Sequence, residues 1–108
     1  MVGRKHTWKD FSQNYIKIVL RFEQNQTPLE LSMTARTAQV QRRALYRFKD
    51  TLYAASSTDE RANRLYQVIK NLNFFITPLK AKADDPATLV IKYHPLKLKI
   101  TELFGNLD

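Results

Sequence analysis

The stretch RTAQVQRRALYRFK, residues 36–49, contains five cationic side chains and no acidic one. On a helix, Arg36, Arg43 and Arg47 fall within one narrow wedge of the surface. The planar guanidinium group of arginine donates two parallel hydrogen bonds to a phosphate, so this spacing suits a nucleic-acid backbone. The alternative interpretation is a solvated helix face on which Asp50 pairs with an arginine one turn away.

Polar and aromatic side chains accompany these arginines. Gln39 is suited to hydrogen bonds with base edges, and Tyr46 to stacking on an unpaired base. The candidate nucleic-acid-binding residues of this helix are Arg36, Gln39, Arg42, Arg43, Tyr46, Arg47 and Lys49. Because each neutralised phosphate releases a counterion, binding by such a surface should weaken steeply as salt is raised.

A second basic face is predicted from lysines that alternate with apolar residues near the C-terminus. If the runs 79–83 and 96–100 are strands, four lysines project from one face of a sheet: Lys80, Lys82, Lys97 and Lys99. That face could lie against phosphates. The alternative is that these lysines prevent edge-to-edge association of strands.

The overall composition favours a polyanionic partner. Eighteen Lys and Arg residues against ten Asp and Glu residues give a net charge of +8, which produces a positive surface potential. No cysteine is present, which excludes disulfides, thiolate catalysis and cysteine-based zinc sites. The N-terminus has no apolar signal region and no run is long enough to cross a bilayer, so we expect a soluble, cytoplasmic protein without a membrane partner.

The sequence gives little support for enzymatic activity, so we predict a protein that is not an enzyme and that binds no metal or cofactor. His6 and His94 lack a second ligand at metal-binding spacing, and the two glycines are too few for a phosphate-binding loop. Asp84 and Asp85 precede Pro86 and indicate a turn.

Two helices are predicted in the centre of the chain. The apolar stripe of Leu45, Phe48 and Leu52 indicates a helix over residues 35–55. Ser57 and Glu60 form a capping-box pair that predicts the start of a second helix, with its own stripe of Ala62, Leu65, Ile69 and Leu72. The short connection implies an antiparallel helix pair.

The N-terminal third admits two interpretations. Residues 15–22 and 28–33 both alternate between apolar and polar side chains, which predicts a β-hairpin. The rival is a helix from Trp8 to Phe22, followed by a second short helix from Pro28 and a recognition helix from Arg36, as in a helix-turn-helix.

The fold expected is α+β in two layers: an N-terminal β-hairpin, two central antiparallel helices and a C-terminal antiparallel β-meander with strands over 79–83, 88–94 and 96–100. The alternative is a set of N-terminal helices in a helix-turn-helix-like arrangement followed by a small sheet. One domain is expected over residues 1–108, with 1–6 and 105–108 as loose tails. The function predicted is that of a small basic, non-enzymatic protein that binds DNA or RNA through its phosphates. The alternative is an interaction subunit that binds an acidic protein or forms a homo-oligomer.

Overall fold

A computed structural model describes residues 8–11 and 13–94 of the chain. After a 3-10 turn at Trp8–Asp10, its elements are α1 (Gln13–Gln24), β1 (Leu29–Thr34), α2 (Ala35–Ala55), α3 (Glu60–Ile69), β2 (Leu72–Thr77) and β3 (Pro86–Tyr93). The α+β class predicted from the sequence is confirmed. The N-terminal hairpin and the C-terminal meander are not.

The three strands form one antiparallel sheet with β3 at its centre, in the order β1-β3-β2. Leu31 of β1 lies opposite Leu89 of β3, and Phe74 of β2 lies opposite Ile91. These pairs direct alternate side chains of the sheet towards the helices, where Leu89, Ile91 and Phe74 are buried. Helix α2 packs against all three strands and against α3, so it is the central element of the helical layer.

Helix α2 has the bounds that the sequence predicts, and its first residue directly follows β1. The Thr34 hydroxyl accepts a hydrogen bond from the backbone N–H of Thr37 and so caps the helix. Leu45, Phe48 and Leu52 are buried as their spacing predicts. Because no loop separates the strand from the helix, the position of α2 is fixed directly by the sheet.

The strand predicted over residues 15–22 is wrong, because this stretch lies within α1. Its buried residues are Ile16, Val19 and Phe22, which are three apart as on a helix face. Burial against α3 outweighs the strand preference of the β-branched residues. The rival helix is therefore confirmed over 13–24. The helix-turn-helix built on it is wrong, because residues 29–34 form β1.

Helix α3 is capped by Asp59, not by the predicted Ser57. One carboxylate oxygen of Asp59 accepts hydrogen bonds from the backbone N–H groups of Arg61 at 3.0 Å and Ala62 at 3.1 Å. The other accepts a hydrogen bond from Nε1 of Trp8 at 3.1 Å. Trp8 is only 3% exposed, so the same carboxylate joins the 3-10 turn to the start of α3.

The strand predicted over residues 79–83 is also wrong. These residues belong to the β2–β3 loop, defined here as residues 78–85, and the strand before it is Leu72–Thr77. Leu72, assigned above to a helical stripe, is instead the first residue of β2. The predicted strand over 96–100 lies outside the described residues. The predicted strand around residues 88–94 is confirmed as β3.

Candidate nucleic-acid interface

The outward face of α2 is a polar stripe that runs the length of the helix. Its exposed members recur at helical spacing: Arg36, Gln39, Val40, Arg43, Arg47 and Asp50. The buried residues Ala38, Leu45, Phe48 and Leu52 lie on the other side of the helix, against the sheet and α3. The stripe is therefore available to a partner while the helix remains docked.

The β2–β3 loop lies against the first turn of α2. The backbone N–H of Ala35 donates to the carbonyl oxygen of Asp85 at 3.0 Å, and that of Arg36 donates to the carbonyl oxygen of Ala83 at 2.9 Å. These are two of the N–H groups that a helix start leaves without intrahelical partners. Because the loop satisfies them, an anion at this surface has to be bound by side chains.

Hydrogen bonds within the β2–β3 loop define its conformation. The N–H of Lys82 donates to a carboxylate oxygen of Asp85 at 2.9 Å, and the N–H of Asp85 donates back to the carbonyl oxygen of Lys82 at the same distance. The N–H of Ala81 donates to the carbonyl oxygen of Pro78 at 3.3 Å. The turn predicted from Asp84, Asp85 and Pro86 is confirmed.

Two open grooves follow the line where this loop meets α2. One, of about 380 Å³, is lined by Ala35, Arg36, Gln39, Val40, Arg43, Ala81 and Ala83. The other, of about 210 Å³, is lined by Ala35, Gln39, Arg42, Phe75, Ile76, Pro78, Leu79 and Ala81. Gln39 and Ala81 line both grooves, so the loop and the helix form one continuous surface.

This contact unites residues that the sequence places in two separate basic faces. Lys80 and Lys82 are exposed on either side of Ala81, and Ala81 lies beside Arg36 and Arg43 in the first groove. We call the set Arg36, Gln39, Arg43, Lys80 and Lys82 the basic surface. The prediction that Lys80 and Lys82 project from a sheet face is wrong, because both are in the loop. Lys97 and Lys99 lie outside the described residues.

Carboxylates neutralise the basic surface only in part. Arg36 lies 3.8 Å from Asp84, in a pair whose side chains are 69% and 90% exposed. Ion pairs this exposed contribute little and exchange readily with other partners. The carboxylate of Asp85 accepts the hydrogen bond inside the loop. The four cations of the surface therefore exceed the two adjacent acids.

Arg42 and Tyr46, predicted as binding residues, are half-buried and have structural contacts. Nε of Arg42 donates to the carbonyl oxygen of Phe74 at 2.8 Å, on the edge strand β2. The guanidinium carbon of Arg42 is 5.3 Å from the centre of the Tyr46 ring, and that ring packs edge-on against Phe74. These two side chains fasten α2 to the sheet edge.

Arg47 lies one turn beyond Arg43 on the exposed stripe, but it lines neither of the two grooves beside the β2–β3 loop. Arg47 lines a groove of about 410 Å³ together with Asp10, Phe11, Asp50 and Thr51. The two carboxylates make this groove mixed in charge. Lys49 is half-buried. The part of α2 from Arg36 to Arg43, together with the β2–β3 loop, is therefore the more positive part.

Sequence reasoning missed the apolar side of this surface. Leu79 is 93% exposed and Val40 is 55% exposed, and each lines one of the two grooves. The alternation of Leu79 with Lys80 reads as a strand with an inward leucine, so no signal in the sequence placed that side chain in solvent. Ala81 and Ala83 gave no signal either, although their small size lets the loop approach α2.

In the part of the chain that the structure describes, no three His, Cys, Asp or Glu side chains come together in a group that could bind a metal ion. None of the helices in the same residues has the length and apolar character needed to cross a membrane.

Comparisons of the chain with protein-family models, curated proteins and solved structures found no match.

Proposed function

We propose that the chain is a non-enzymatic nucleic-acid-binding protein that contacts phosphates through the basic surface. One observation supports this most: the β2–β3 loop, which carries the exposed Lys80 and Lys82, is hydrogen-bonded to the first turn of α2, and its Ala81 lines a groove with Arg36 and Arg43. A cluster of exposed cations on one face is the electrostatic footprint of a polyanion-binding protein.

Each member of the basic surface has a distinct role in this proposal. Arg36 and Arg43 lie about two helical turns apart on the exposed stripe, and each can donate two hydrogen bonds to one phosphate. Lys80 and Lys82 act as point charges along the same backbone. Gln39 lies between the two arginines and lines both grooves, which places its amide where a sugar or a base edge would lie.

The experiment is a fluorescence-anisotropy titration with labelled single strands and duplexes of DNA and RNA at two salt concentrations. We expect Kd to rise steeply with salt, because each phosphate contact releases a counterion. Arg43→Glu and Lys80→Glu should each raise Kd roughly tenfold or more at low salt. Both residues are exposed, so the fold should persist.

The matched control is Lys17→Glu, which makes the same change in charge on α1. Lys17 is exposed and lines neither groove. If Kd responds equally to Lys17→Glu and Arg43→Glu, the effect is that of net charge and the basic surface is not the binding site. If no probe binds at low salt, the proposal is wrong.

A further inference from the structure

The most exposed large apolar side chain in the described residues is Leu79, at 93%. It follows Pro78, which is also exposed, and precedes Lys80. The loop around it is held by the hydrogen bond from Ala81 to Pro78 and by the bonds from α2 to Ala83 and Asp85. Leu79 is therefore held at a defined place next to the basic surface.

We propose that Leu79 is an apolar wedge that enters the minor groove of duplex DNA and partly unstacks one base step. This inference rests on the proposed function and specifies its substrate. Proteins that bend DNA insert leucine, proline and similar side chains between base pairs from the minor groove. In this chain, lysines at positions 80 and 82 lie next to the wedge, where they can contact the phosphates on either side of the opened step.

The aromatic side chains near the basic surface favour a duplex over a single strand. Binding of single strands relies on aromatic rings on which bases stack. The Tyr46 ring is occupied by Arg42 and Phe74. The half-buried Phe75 ring, which lines the second groove, has Nζ of Lys92 at 5.3 Å from its centre. Tyr53 is exposed, but its ring packs on Tyr66, and it lies about 15 Å beyond Arg43 along the helix.

Leucine also fits DNA better than duplex RNA. The minor groove of RNA is wide and shallow and displays hydroxyl groups, whereas that of DNA is narrow. An apolar side chain such as Leu79 gains from leaving water only where it contacts base faces. Pyrimidine–purine steps such as TA open most easily, so we expect the wedge to favour duplexes with a central TA step.

The test uses the full chain and a DNA duplex with 2-aminopurine beside a central TA step and fluorophores at the two ends. Unstacking raises 2-aminopurine fluorescence, and bending raises energy transfer between the ends. The unmodified protein should increase both signals. Leu79→Ala should abolish both and weaken binding by roughly tenfold or less, with an unchanged salt slope, because the lysines remain. Leu79→Met should retain both signals.

The possible failures are distinguishable. Absence of binding to every DNA and RNA probe at low salt overturns the proposed function and this inference together. Binding of single strands or of RNA without binding of duplex DNA overturns this inference alone. Salt-sensitive binding without a 2-aminopurine change, or with the same change in Leu79→Ala, overturns the wedge alone. If Leu79→Ala instead lowers the sedimentation mass of the free protein and leaves both DNA signals intact, Leu79 belongs to a protein interface and the wedge is wrong.

Discussion

The backbone N–H of Arg36 donates a hydrogen bond of 2.9 Å to the carbonyl oxygen of Ala83. This bond joins the first turn of α2 to a loop that follows it by two elements in the chain. It brings together two basic stretches that are separate in the sequence. The candidate site is therefore a consequence of topology, since β1 leads directly into α2 and pairs with the strand that follows the loop.

Ala81 offers a direct test of this surface because it lines both grooves. Ala81→Glu places a carboxylate in the groove that Arg36 and Arg43 line, and we expect Kd for nucleic acid to rise by about tenfold at low salt. Ala81→Arg should lower Kd. Ala81→Gln is the control for side-chain size, and circular dichroism melts establish that the variants are folded. Equal affinities of the Glu and Gln variants would contradict the site.

Arg42 and Arg43 are adjacent in sequence but should respond differently to substitution. Arg42→Gln removes the hydrogen bond to the Phe74 carbonyl and the contact with Tyr46, so we expect the free energy of unfolding to fall by about 1–2 kcal/mol. Arg43→Gln removes an exposed charge. It should change the free energy of unfolding by less than about 0.5 kcal/mol while weakening nucleic-acid binding. Urea unfolding and anisotropy measure the two effects. The reverse pattern would mean that Arg42 is the binding residue.

The parts of the fold that could be predicted are those where one residue pattern has one interpretation. In α2, Leu45, Phe48 and Leu52 fit only a helical period, and the predicted bounds are those observed. In α1, the alternation of Ile16, Ile18 and Leu20 fits a strand as well as a helix. Contact with α3 decides between them, and that contact is not local in sequence.

Only the part of the candidate site on α2 could be predicted from the sequence. The spacing of Arg36, Gln39 and Arg43 places them on one helix face, as observed. The position of the loop that carries Lys80 and Lys82 against this helix depends on the pairing of β3 with both β1 and β2. A single sequence contains no signal for that pairing, since the lysine–apolar alternation at residues 79–83 is typical of a strand.

Phe48 is expected to be the most sensitive position of the aromatic cluster between α2 and the N-terminal segment. It is fully buried, with its ring centre 5.3 Å from that of Phe11 and 5.9 Å from that of Tyr15. Phe48→Ala should lower the free energy of unfolding by about 3–5 kcal/mol in urea denaturation. Val40→Ala, at an exposed position of the same helix, should change it by less than about 0.5 kcal/mol. Similar losses in both variants would show that Phe48 is not in the core.

Asp59 should make stability depend on pH in the acidic range. Its pKa is held below the ordinary value, first by the hydrogen bond from the Ala62 N–H and then by that from Nε1 of Trp8. In the unfolded chain Asp59 has its ordinary pKa, so at pH values between the folded and the unfolded pKa the unfolded chain binds more protons. The stability that ionised Asp59 contributes is therefore present above the unfolded pKa and is lost as pH falls through the folded pKa. We expect Tm to be steady above about pH 5 and to fall below about pH 4.

Asp59→Asn separates the charge of this residue from its role as a cap, because asparagine can also cap a helix. The variant should melt at a lower temperature than the unmodified protein at neutral pH, and the two Tm curves should converge at acid pH, where Asp59 is protonated. Glu23→Gln should make the decrease of Tm at acid pH smaller still, since the hydrogen bond from Arg64 also lowers the pKa of Glu23. If Tm falls equally at acid pH in the unmodified protein and in Asp59→Asn, the pH dependence of stability belongs to other carboxylates.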